Sequence, residues 1–151
     1  MIRTFQADAV NAIANDPRVR PSLGGDGALD LAPLVEDRRN ITLQFDLGAF
    51  VFREIGGYGL IYELHSLFLP EGWGRPAAAA AREAALHMFA GVGAALLVTF
   101  EQAGAWRSRP PKSHGWKLAR DAWVVMEGMP VCTWCLTAEN WRQSAIMKGK
   151  H

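Results

Sequence analysis

The stretch Leu60-Ile61-Tyr62-Glu63-Leu64-His65-Ser66-Leu67-Phe68-Leu69, continued by Pro70-Glu71-Gly72-Trp73-Gly74-Arg75-Pro76, decides the fold. The first run reads as an apolar strand and the second as a Gly/Pro turn. An alanine-rich helix follows from Pro76 to about Ala90, then a second apolar strand from Ala94 to Phe100. Strand, turn, helix and strand in that order predict a right-handed crossover between neighbouring strands. Because the turn opens a helix, free backbone N–H groups and the helix dipole converge there, as at many phosphate sites. The helix carries Ala77, Ala78, Ala81, Ala85, Met88 and Phe89 on one arc, with Arg82, Glu83 and His87 opposite. His87 therefore reads as a surface residue. Proline suits the first turn, and Gly91 or Gly93 suits the end.

Upstream, Ile41–Phe45, Ala49–Ile55 and Leu60–Leu69 read as a meander of three strands. Asp46-Leu47-Gly48 and Gly56-Gly57-Tyr58-Gly59 supply its turns. Residues Thr4 to Asn15 read as a helix capped by Thr4, with Phe5, Ala9, Val10 and Ile13 on one side, ended by Asp16-Pro17. One or two short helices are expected between Arg18 and Asn40, the clearest at Leu29 to Val35. Downstream, an irregular basic segment (Gly104 to Gly115) leads to a hairpin of Trp116–Met126 and Met129–Thr137. The tail from Ala138 begins as a short helix and frays from about residue 142. The reading is one α/β domain over residues 1–151, built as an antiparallel meander, a β-α-β crossover and a C-terminal hairpin.

The bulk numbers suit that reading. At 151 residues the chain fits a single domain. With 50% hydrophobic and 21% charged residues, it has an ordinary globular composition. A net charge of +1 gives no general pull toward nucleic acid or an anionic membrane. The stretch Met1 to Asp8 lacks the apolar core of a signal peptide, and no window approaches the ~18 apolar residues of a span. A cytoplasmic protein is expected, with a virion component as the alternative. Cys132 and Cys135 form a Cys-x-x-Cys pair in a strand-like run, where that spacing sends the side chains to opposite faces. They read as two ordinary thiols rather than a redox or metal site.

This order of elements, with the Pro70–Pro76 turn and the later Ser113-His114-Gly115-Trp116, resembles the GNAT superfamily of N-acetyltransferases. The likeness spans roughly Thr4 to Trp141. Within it, Glu63 to Gly72 is similar to GNAT-like proteins encoded by phages and prophages. The resemblance implies that acetyl-CoA, or CoA, lies against the end of the fourth strand and the turn after it. The residues so implied are Leu67, Phe68, Leu69, Gly72, Trp73, Gly74, Arg75, Ala77 and Ala78. The family's turn reads Gln/Arg-x-x-Gly-x-Gly/Ala. One frame lays Trp73 on the first position and Pro76 on the glycine; the other lays Gly74 on the glycine and Pro76 on the last small residue. Proline has no N–H to donate in either frame. The turn therefore reads either as a weakened pyrophosphate site or as a plain strand-to-helix turn.

Acetyl transfer needs a base for the attacking amine and an acid for the departing thiolate. Glu63 and His65 lie two apart on one strand, so both face the same side, roughly 7 Å apart. A half-buried face raises a carboxylate's pKa by desolvation, which suits Glu63 as the base. Neutral His65 is the other candidate, and a purely structural polar pair is the third reading. The family's tyrosine acid has no counterpart, because Tyr58 and Tyr62 both precede the turn. Ser113 and His114 are the polar residues near its position, and adjacent Pro110 and Pro111 disfavour a long helix there.

Two functions follow as expectations. The first is an acyl-CoA-dependent N-acyltransferase with a degenerate turn and an amine acceptor of unknown kind. The second is an inactive GNAT-fold structural or binding protein, such as a phage virion or assembly component. The six tryptophans make a homo-oligomer or particle partner plausible. The basic segment at 104–117 reads as a solvated loop, so nucleic acid is an improbable partner.

Overall fold

The computed structural model describes residues 1–102, 114–126 and 129–144 of the chain. Strands β1 (Ile2–Thr4), β2 (Ile41–Phe45), β3 (Gly48–Ile55) and β4 (Ile61–Phe68) form an antiparallel run. Helix α3 (Arg75–Leu86) carries the chain across to β5 (Leu96–Gln102), which lies parallel to β4. The hairpin β6 (Lys117–Met126) and β7 (Met129–Thr137) completes the sheet, whose order is β1-β2-β3-β4-β5-β7-β6. Short helices α1 (Asp8–Ala14), α2 (Ala32–Val35) and α4 (Ala138–Arg142) complete the fold. The mixed sheet and crossover agree with the expected α/β class.

Alternation along the strands divides the core in two. Leu43, Phe50, Phe52, Tyr62, Phe68, Leu97, Trp134 and Leu136 turn to one face, where Ala80, Ala84, Ala85, Met88 and Phe89 cover them with Trp141. Ala49, Val51 and Leu67 turn to the other face, under Ala7, Val10, Ala14 and Val35. The alanines of α3 let its axis approach the sheet closely, so small side chains still bury a large shared surface. Trp116, Trp134 and Trp141 serve this core, whereas Trp73 is 54% exposed.

Several expectations are corrected. β1 was not anticipated: its three residues are mostly exposed and carry no alternating pattern. The first helix starts at Asp8 rather than Thr4, because Thr4 belongs to β1 and its hydroxyl accepts from the Gln6 amide at 3.1 Å. Phe5 accordingly lies outside that helix, 45% exposed beneath the Arg3 guanidinium. The alanine helix tightens its contacts through Ala80 and Ala84, which the expected arc omitted; a run of identical residues gives no contrast from which to read phase. Its last turn, His87–Val92, is a π-helix ending at Gly93, and His87 is half-buried with Nε2 shielded from solvent. Cys132 packs against the α3-side core, while Cys135 pairs with Val98 on the opposite face, and both thiols are free. Burial pushes the Cys135 thiol above its ordinary pKa, which suits an unreactive side chain.

Candidate active site

β4 and β5 are paired only through Ile61–Leu96, Tyr62–Leu97 and Glu63–Val98. Beyond Glu63 the two strands part. Among the described residues the last tie is the Thr99 hydroxyl, which donates to the Leu64 carbonyl at 3.0 Å. Carbonyls at even spacing on a strand share an edge, so Leu64, Ser66 and Phe68 all turn theirs toward the gap. The Leu69 amide faces the other way and donates to the Leu47 carbonyl at 2.9 Å. A V-shaped cleft therefore opens along β4, with unpaired backbone groups on one wall.

Glu63 stands at the closed end of that V. Its carboxylate is only 4% exposed and pairs with the Arg53 guanidinium across the antiparallel ladder, where Arg53 and Glu63 are direct partners. The His65 Nε2 lies 3.3 Å from Glu63 Oε1 on the same face. The carboxylate that the sequence offered as a base raised by desolvation is thus buried as expected but ion-paired. What the sequence could not give was Arg53, which meets Glu63 only through the register of the hairpin. The His65 side chain is 42% exposed and that of Arg53 53%, so a substrate can touch both, whereas Glu63 lies buried between them. Desolvation lowers the His65 pKa below its usual value, Glu63 opposes that shift, and the Arg53 charge adds to it.

At the open end, Pro70–Gly72 forms a 3-10 turn and Gly72 is buried against Leu47. Gly74 then takes φ +75° and ψ −123°, a conformation reserved for glycine, and its carbonyl accepts the Ala78 amide at 3.0 Å. The Ala78 N–H is therefore spent within the helix. Among the described residues, the amides of Gly74, Arg75 and Ala77 have no backbone acceptor, and Pro76 has no amide to offer. Arg18, anchored on Asp16, reaches Glu71 and ties the segment after α1 to this turn. The Trp73 indole donates to the Phe68 carbonyl at 3.1 Å.

Glu63, His65, the Phe68 carbonyl, Trp73, Gly74, Arg75 and Ala77 thus follow one another along the end of β4 and the turn after it. Leu67 does not join them: its side chain is buried with Val10 and Val51, and its backbone faces β3. Leu69 likewise bonds toward Leu47. Ser113 lies outside the described residues, as do residues 104–112 of the basic segment. Tyr62 is buried on the opposite face, and Tyr58 sits 85% exposed on the β3–β4 turn, so neither stands as the acid.

No family model matches this chain, and no curated protein matches it in sequence. Solved structures do match it in shape. A probable acetyltransferase superposes with a TM-score of 0.59 at 17% identity, covering 89% of each chain. A GNAT-family acetyltransferase from Bacillus anthracis gives 0.59 at 16% identity, covering 90% of this chain and 92% of that one. The fold is the GNAT fold. The spermidine/spermine N-acetyltransferase SpeG from Vibrio cholerae, in mutant form, gives 0.58 at 11% identity, over 75% and 73% of the two chains. These identities speak for the GNAT architecture alone. Among the described residues, no helix is long and apolar enough to cross a membrane, and no cluster of His, Cys, Asp or Glu is arranged to hold a metal ion.

Proposed function

We propose that this chain is an N-acyltransferase that takes its acyl group from acyl-CoA, acetyl-CoA being the first choice, held in the cleft between β4 and β5. The observation that carries this reading is the position of Glu63 and His65 at the point where the two strands part. His65 is the base. Its lowered pKa keeps the ring neutral near pH 7, and its Nε2 is turned to Glu63, which leaves Nδ1 to accept a proton. Buried Glu63 fixes that orientation and is itself held by Arg53. The acceptor amine attacks the thioester carbonyl, the new C–N bond forms as the C–S bond breaks, and the amine proton passes to His65. A thiolate is a far weaker base than the amide nitrogen that replaces it, so the sulfur can leave as thiolate and take its proton from water without a tyrosine. An open groove of about 320 Å³ lined by Leu34, Asp37, Arg39 and Arg53 adjoins the cluster through Arg53, and there we place the acceptor.

The turn supports a diphosphate with reduced strength. The backbone favours the frame with Gly74 on the family's central glycine, which lays Glu71 on the Gln/Arg position and Pro76 on the last small residue. Gly74, Arg75 and Ala77 still offer amides at the positive end of α3, and the exposed Arg75 side chain adds a charge. Calorimetry with acetyl-CoA and with CoA, at protein concentrations that detect a millimolar Kd, tests the reading. Heat of binding in either titration supports it, and none in both ends it. Pro76→Ala restores the missing donor and is expected to tighten CoA binding about 10-fold in the same assay, the worth of one charge-assisted bond.

A further inference from the structure

The unpaired edge of β4 ends at a carbonyl that is already occupied. Ser66 and Phe68 turn their backbone groups to the gap, and the ladder to β5 has stopped at Glu63. Of these groups, the Phe68 carbonyl accepts the Trp73 indole N–H at 3.1 Å. Trp73 lies just beyond the 3-10 turn, directly before Gly74, and it is 54% exposed although it makes this bond. An indole can be accommodated in solvent on an apolar surface without any hydrogen bond to the sheet. Here its N–H covers the one edge acceptor that an amide-bearing ligand running along β4 would use last.

We infer that Trp73 sets the affinity of the cleft for ligands that carry the pantetheine arm of acyl-CoA, by competing with that arm for the Phe68 carbonyl. This deepens the acyl-CoA reading and rests on it. A ligand with an amide N–H at that height must displace the indole, exchanging one neutral hydrogen bond for another with little net gain. A ligand that reaches only the phosphate turn leaves the indole where it is.

The test uses the whole chain and its Trp73→Phe variant, which keeps an aromatic ring and removes the donor. Calorimetry is run with CoA and with adenosine 3′-phosphate 5′-diphosphate, which carries the phosphates but no pantetheine arm. Trp73→Phe is expected to bind CoA about 5- to 10-fold more tightly and the nucleotide with unchanged affinity. Equal or weaker CoA binding by the variant overturns the role of Trp73 while leaving the acyl-CoA reading standing. A parallel gain for the nucleotide also overturns it, because the ring would then act at the phosphate turn. Absence of CoA binding by both proteins ends both inferences. Thermal melting of the two proteins confirms that the comparison is between folded chains.

Discussion

Replacing His65 by Gln is expected to lower kcat for acyl transfer by about 10²- to 10⁴-fold, the usual worth of a positioned base, with a smaller change in KM. The side chain is half-exposed, so the fold loses little, and a melt within a few degrees of the parent would show that chemistry alone was removed. The wild-type pH profile should place the acid limb of kcat/KM below the ordinary histidine value of 6.5, since burial holds the ring neutral. The neighbours pull in opposite directions. Glu63→Gln removes the charge that favours imidazolium, moving the limb further down, whereas Arg53→Met removes an opposing charge and moves it up. Titration of the His65 ring by NMR in the unliganded protein reads the same two shifts without turnover. Shifts of the same sign in both variants would sink the three-residue arrangement. The linkage also has a definite sign. A histidine pKa lowered by folding penalises the folded state once the unfolded chain protonates, so this penalty is absent above pH 6.5 and grows as pH falls below it.

Gly115→Ala should be strongly destabilising, at about 2–4 kcal/mol, or a Tm lower by roughly 5–15 °C. Gly115 holds φ +88°, and a Cβ there would lie 2.5 Å from the Asn140 carbonyl oxygen and 2.8 Å from its carbon. Both contacts are backbone, so no rotamer relieves them. Relief would require α4 to shift, and α4 carries Trp141, which is 4% exposed against Phe89 at a ring separation of 5.6 Å. Gly57→Ala is the control: Gly57 holds φ +80° with nothing within 4 Å of the added carbon, so only the conformational cost of about 1–2 kcal/mol applies. Equal losses for the two variants would show that the clash with α4 carries no weight.

The elements that were legible before the structure are those with a clear period. Ile41–Phe45 alternates apolar and polar residues, and β7 ends at Thr137 as expected, where its hydroxyl caps α4 by accepting the Asn140 amide. Glu63 and His65 could be set on one face from their spacing alone, and Cys132 and Cys135 on opposite faces by the same rule. Where the sequence repeats one residue, as from Ala77 to Ala81, the period vanishes and the buried side of α3 had to come from the fold. Where a strand is as short and exposed as β1, no pattern marks it.

The chain's own residues therefore determined the crossover, the turn with its absent donor at Pro76, and the shared face of Glu63 and His65, because these depend on local spacing and on what proline cannot donate. Only the tertiary structure decided that Arg53 neutralises Glu63, that β5 leaves β4 beside that pair, and that Trp73 caps the Phe68 carbonyl. Those contacts depend on strand register and on how far two parallel strands stay together, and both are set by packing across the whole sheet.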